Sequence, residues 1–210
     1  MSTLLPPEHA KAMAAFDHVQ RTRLVFGNGS AGRVGALSAE LGLRRILLVS
    51  DPGIVRAGHE AIDQVALDVA VAEVSEVGPA AGLPVDVTVA SEVEGLLAFT
   101  IDRFDRAHLV CNNAGVAGPP GRAPHELSVE DWQWVLDVDL WGVIHGVRTF
   151  VPHLLAHGDG HIVNTASQSG LTSGAVISAA YYAAKHAVVA ISECQFHDFS
   201  QRDSGISVSV

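Results

Sequence analysis

The stretch AHLVC, residues 107 to 111, is apolar apart from one histidine and runs straight into NNAG at 112 to 115. So short an apolar run, closed by turn-forming asparagine and glycine, reads as a strand buried inside a sheet. The pattern repeats outward in both directions. TRLVF (22 to 26), RRILLVS (44 to 50) and LPVDV (83 to 87) precede it, and HIVNTA (161 to 166) and ISVSV (206 to 210) follow. Between these runs, apolar residues recur about every 3.6 positions over 33 to 41, 60 to 75, 91 to 105, 129 to 156 and 177 to 200. Strand and helix in alternation predict an α/β fold: a doubly wound, Rossmann-like parallel sheet covered on both faces, in a single compact domain. The punctuation agrees. Ser128 with Asp131 three residues on is a capping-box start, and HGDG (157 to 160) is a helix stop followed by a turn. The run ISVSV, at the last residues of the sequence, reads as an edge strand and predicts that the last strand or strands of the sheet are missing.

Of the 210 residues, 48% are apolar and 17% charged, enough to bury a core. A net charge of −10 argues against nucleic acid or an anionic membrane as partner, since both select clustered Lys and Arg. A small molecule is the expected partner. The two cysteines, Cys111 and Cys194, fall in no metal-binding spacing, and their scarcity fits a reducing compartment. No run of eighteen apolar residues occurs, and the first residues lack the pattern of a secretion signal, so the expected location is cytoplasmic.

The chain holds two lysines against eleven arginines, yet one lysine, Lys185, sits in the apolar helical pattern AAYYAAKHAV (179 to 188). Residues four apart share a helix face, so Lys185 meets Tyr181, with Tyr182 three residues away also in reach. An ammonium one turn away favours a phenolate, which makes the tyrosine usable as a general acid or base near neutrality. Such chemistry needs a hydroxyl to hold the reacting oxygen. Ser167 follows the strand HIVNTA directly, at the strand end where open α/β sheets bind ligands, and Ser169 is its nearest substitute. The other reading of Ser167 is a capping hydroxyl. His153 and His157 stand at a spacing that can chelate zinc, but no acidic residue lies between them and they fall beside a glycine turn, so solvent exposure and no metal are expected.

NNAG at 112 to 115, Ser167 and YYAAK, with PVDVT, the long DWQWVLDVDLWGVIHGV helix and HIVNTAS, together resemble the short-chain dehydrogenase/reductase family from about residue 64 to 210. The resemblance implies an NAD(P)-dependent oxidoreductase moving hydride between coenzyme and an alcohol or ketone. It assigns Ser167 to polarising the substrate oxygen, Tyr181 to proton exchange, and Lys185 to the nicotinamide ribose and to favouring the phenolate. It further places Asp86 and Val87 at the adenine, and Asn112, Ala114 and Gly115 beside a coenzyme ribose. Where the family usually has an asparagine whose backbone carbonyl supports a relay water, this chain has Asp139, a carboxylate able to alter the lysine's charge balance. The family's members pair through helices corresponding to 129 to 156 and 177 to 200, which implies a homodimer or homotetramer. Without the family's later segments, weak or absent turnover is expected.

The front departs from that family. In place of its T-G-x-x-x-G-x-G opening stands VFGNGSAGRVGALSAELGLRRILLVSDPGIVRAGH, and residues of about 20 to 62 resemble the opening of iron-containing alcohol dehydrogenases, without that family's metal ligands. The segment 1 to 62 is thus expected to be a βαβ unit of different origin joined to a core at 63 to 210. Physically it still spells a nucleotide-binding unit: Gly27, Gly29 and Gly32 form G-x-G-x-x-G, and Asp51 closes the next strand. Glycines let backbone approach a pyrophosphate, and the carboxylate suits free ribose hydroxyls, favouring NAD over NADP. A purely structural turn is the other reading. Two further readings stand beside the enzyme: a catalytically silent fragment that binds nucleotide or only oligomerises, and a fragment of an iron-containing alcohol dehydrogenase.

Overall fold

The computed structural model describes residues 46–50, 64–76, 78–174 and 177–210. Gly27, Gly29, Gly32 and Asp51, the strand pattern at 22 to 26 and the helix pattern at 33 to 41 lie outside the described residues. The described elements run β1 (Ile46–Ser50), α1 (Gln64–Ser75), β2 (Ala80–Pro84), α2 (Ala90–Phe104), β3 (Leu109–Asn112), α3 (Val129–Leu136), a π-helical segment (Asp137–Trp141), α4 (Gly142–His157), β4 (Gly160–Asn164), α5 (Ala179–Arg202) and β5 (Ile206–Ser209). All described pairings are parallel: β1 with β2, and β3–β4–β5 in that order, with Val110 opposite Ile162 and Ile162 opposite Val208. This is the Rossmann-like architecture that the alternating pattern predicts.

Local chemistry sets the boundaries. The Ser128 hydroxyl accepts from Asp131 N–H at 3.0 Å while Asp131 accepts from Ser128 N–H at 3.0 Å, a reciprocal cap that starts α3. Gly158, with φ of 65°, ends α4 and donates to Leu154 O and Leu155 O. One strand is displaced from its expected range. Residues 83 to 87 read as a strand, but β2 stops at Pro84, because Asp86 leaves the ladder to build a turn. Its carboxylate accepts from Thr88 N–H (2.9 Å) and the Thr88 hydroxyl (2.7 Å), and its N–H donates to Glu92 (2.7 Å).

Val110, Ile162 and Ile206 present one face of β3–β4–β5 to Val93 and Leu96 of α2, Phe150 and Leu154 of α4, and Phe199 of α5. Burying five such large side chains supplies roughly 1.5–3 kcal/mol each before conformational entropy is set against it. A second cluster, Val116, Val135, Val138 and Ala180, lies where the strand ends meet α3 and α5. Between the two runs a buried polar bridge. Asn112 Nδ2 donates to Asn164 Oδ1 (2.8 Å), and Asn164 Nδ2 donates to Ser192 (2.9 Å) and Gln195 Oε1 (2.8 Å) of α5. Gly146 makes room for this bridge, since a Cβ there would collide with Asn112 Oδ1.

Candidate active site

Beyond β4 the chain enters Thr165, Ala166 and Ser167. The Ser167 hydroxyl accepts from Ser169 N–H at 3.1 Å and caps a single 3-10 turn, Gln168–Gly170. That turn lies hard against α5: a Cβ on Gly170 would stand 2.7 Å from Lys185 O. Glycine at 170 therefore lets the serine-bearing turn reach the helix that carries Tyr181 and Lys185. The capping reading of Ser167 holds in this structure, and the serine remains half-buried beside that helix.

Lys185 is only 3% exposed, although α5 is long enough to have placed it in water. Its ammonium donates to Thr165 O at 2.9 Å, stands 3.3 Å from Asp139 Oδ2, and lies 5.5 Å from the centre of the Tyr181 ring. Asp139 is fully buried. Its Oδ1 accepts from Val116 N–H at 2.7 Å. Its Oδ2 pairs with the Lys185 ammonium and has no other partner among the described residues. Burial, the largest influence, pushes the Asp139 carboxyl above its ordinary 3.8, against the Val116 N–H and the Lys185 charge, which pull it down. The long helical pattern at 129 to 156 is interrupted here. Gly142 N–H reaches back five residues to Asp137 O, and this π-turn carries Asp139 on its inner side.

Other expected residues gather nearby. Val87, Ala114 and Tyr181 all pack on the Val116–Val135–Val138–Ala180 cluster. Gly115 is exposed above the ion pair, and a Cβ there would sit 3.4 Å from both Lys185 Nζ and Asp139 Oδ2. The Asn112 side-chain amide donates to Asn164 inside the sheet, and its carbonyl accepts from Thr165 N–H at 3.0 Å. Asp86 lies in the turn after β2, with one carboxylate oxygen holding that turn. Tyr182, expected to pack, is half-buried with its hydroxyl towards Gly174.

Two partners escaped the sequence reading, the Thr165 carbonyl and the Val116 amide, and a backbone group leaves no signature in residue type. Asn164 had one: an amide in the middle of the apolar run HIVNTA. His153 is half-buried rather than exposed, because its Nε2 accepts from Ala107 N–H at 3.2 Å, while His157 Nδ1 donates to His153 O. Burial, then His157, Arg106 and His108, hold His153 below its ordinary 6.5. Among the described residues no three His, Cys, Asp or Glu side chains assemble into a metal site.

The arrangement suits a dinucleotide. An ammonium has three donors; Thr165 takes one and Asp139 draws another, which leaves one for a ligand hydroxyl over the open side at Gly115. The Tyr181 phenol lies one turn away on the same helix, and Ser167 lies on the adjoining turn.

Known proteins share this arrangement of elements. The short chain dehydrogenase family matches residues 56–210, well over half of the sequence, and the chain belongs to that family. A 1-deoxy-11-beta-hydroxypentalenate dehydrogenase of Streptomyces exfoliatus is 36% identical over 196 residues, covering 92% of this chain and 66% of that protein. A cyclohexanol dehydrogenase of an Acinetobacter species is 32% identical over 183 residues, covering 87% of this chain and 67% of the relative. The crystal structure of a Burkholderia phymatum short-chain dehydrogenase/reductase in complex with NAD superposes with a TM-score of 0.67 at 32% identity, covering 79% of this chain and 64% of that one. The chain spans about two thirds of the length of the curated relatives it matches. A match over 92% of the chain also reaches across residues 20 to 62, so a short-chain dehydrogenase relative aligns with the segment expected to have a different origin.

Proposed function

We propose that the chain is an NAD- or NADP-dependent oxidoreductase that interconverts a small alcohol and its ketone. The observation that carries this reading is the buried Lys185 ammonium, fixed between Thr165 O and Asp139 one helical turn from Tyr181. Burying an ammonium is costly, and this one is held over the face of the Tyr181 ring rather than in water. In the oxidising direction Tyr181 takes the alcohol proton, Ser167 holds the oxygen as it becomes a carbonyl, and Lys185 binds ribose hydroxyls beside Tyr181. The nicotinamide ring, when bound, supplies the hydride acceptor. Gly115, Ala114, Val87 and Asp86 line the dinucleotide's path, and Gly27, Gly29, Gly32 and Asp51, outside the described residues, extend it, with Asp51 favouring NAD. The names of the dehydrogenase relatives and the NAD held by the Burkholderia protein support this assignment. We read residues 20 to 62 as the opening of the same dinucleotide-binding unit; bound iron in elemental analysis would reverse that.

Titration of NADH fluorescence against the wild-type chain and Tyr181→Phe, with initial rates on cyclohexanol, tests the reading. NADH is expected to bind both proteins with similar affinity. The variant is expected to lose roughly 10²–10⁴-fold in any turnover the wild type shows, the usual share of a general acid–base group. Binding without wild-type turnover would leave a silent nucleotide-binding module, and no binding at all would remove the coenzyme from the assignment. We propose further that the chain pairs with copies of itself through the helices at 129 to 156 and 177 to 200, on which Trp141 is 48% and Phe196 54% exposed. Light scattering should give two or four chains per particle, and a monomer at micromolar concentration would refute the pairing.

A further inference from the structure

Asp139 is a carboxylate where the resembled family usually carries an amide. An asparagine would keep its seat, because an amide oxygen accepts the Val116 N–H as well as Oδ1 does. What an amide would not supply is charge. Asp139 is 0% and Lys185 3% exposed, they stand 3.3 Å apart, and the Lys185 ammonium is the one partner of Oδ2 among the described residues, so that oxygen faces the cation alone. Among the described residues, Lys185 is the one charged group acting on Asp139. The π-segment packs against α3, α4 and α5, and of these α5 alone directs titratable groups at it, Lys185 and Tyr181; Asp137, in the same segment, is exposed.

We propose that Asp139 is the resident counter-ion of Lys185 and, by making the pair electrically neutral, favours binding of the oxidised coenzyme over the reduced one. The inference rests on the dinucleotide reading above. The two redox states differ by one positive charge on the nicotinamide ring. A lone Lys185 ammonium repels that ring through a weakly screened interior, whereas the neutral Lys185–Asp139 pair does not. Asp139 is thus a positioning residue. It holds the ammonium on Thr165 O beside Tyr181 and removes the electrostatic bias against the oxidised form.

The test is the ratio of dissociation constants, NAD⁺ over NADH, measured by calorimetry on the full 210-residue chain and on Asp139→Asn at neutral pH. The ratio is expected to rise on the order of tenfold in the variant, the scale of one poorly screened charge. A variant in which both affinities change by the same factor would overturn the proposal, because a purely structural role weakens both forms alike. Should Asp139→Asn fail to fold, Asp139→Ser is equally neutral and smaller, and must raise the ratio in the same sense. In Asp139→Asn/Lys185→Met the pair is neutral again, so its ratio must fall back towards wild type; a ratio that stays raised would also refute the charge argument. If the wild type binds neither form, the dinucleotide reading itself falls and takes this proposal with it, a result distinct from binding with an unmoved ratio.

Discussion

A lysine ammonium taken out of water loses several kcal/mol of hydration, and Lys185 recovers interaction from three directions: the Thr165 carbonyl, the Asp139 carboxylate and the face of the Tyr181 ring. Asp139 is less well served. One of its oxygens takes Val116 N–H and the other faces the Lys185 cation, yet burial outweighs both and its carboxyl sits above 3.8. The sign of the consequence follows from linkage. A carboxyl whose folded value lies above its unfolded one contributes stability that is fully present below about pH 3.8 and is lost as pH rises through the raised folded value. Urea midpoints of wild type and Asp139→Asn between pH 3 and 7 should therefore diverge, with the wild type losing ground to the variant as pH rises from the bottom of that window. A wild type that gains on the variant would mean that the attraction of Lys185 outweighs the cost of burying the charge.

At the scale of elements, what was legible in the sequence is what depends on residue type over a few positions. The cap at Ser128 and Asp131 and the stop at Gly158 appear where hydroxyl, carboxylate and glycine place them. Tyr181 and Lys185 share a face because both lie in one uninterrupted helix, α5. The misplaced end of β2 has a different origin. LPVDV is apolar enough for a strand, but the Asp86 carboxylate finds Thr88 two residues on and Glu92 finds the Asp86 amide, so local side-chain bonds outcompete the ladder. The π-turn at Asp137–Trp141 was not legible. It carries Asp139 to Val116 and Lys185, 23 residues before it and 46 after it, and periodicity does not record such contacts. Asn112 likewise looks like a site residue from its motif, and only its partner on β4 shows that the side chain faces inward.

Among the described residues the apolar interior divides between two clusters with different duties. Leu154 belongs to the larger one, with Val110, Ile162 and Phe199, beneath the sheet face; Tyr181, Val87 and Ala114 pack on the smaller one at the strand ends. The Asn112–Asn164–Ser192 and Gln195 bridge joins the strand ends to α5. If that bridge rather than the large cluster sets the position of α5 at the site, damage to the large cluster should cost stability without moving the site. Leu154 is 0% exposed, so Leu154→Ala removes a fully packed side chain, and a loss of about 2–5 kcal/mol in unfolding free energy is expected. The affinity for NADH, measured well below the lowered midpoint where the variant remains folded, should stay within about twofold of wild type, since additivity holds for sites that share no partners. Asn164→Ala makes the complementary test. It strands the Asn112 amide and Gln195 Oε1, so it should lower stability by about 1–3 kcal/mol and also weaken NADH binding, because Thr165 O, the Lys185 acceptor, is the carbonyl of the next residue. Equal loss of coenzyme affinity in the two variants would show that the interior behaves as one body and that the bridge has no separate part in placing α5.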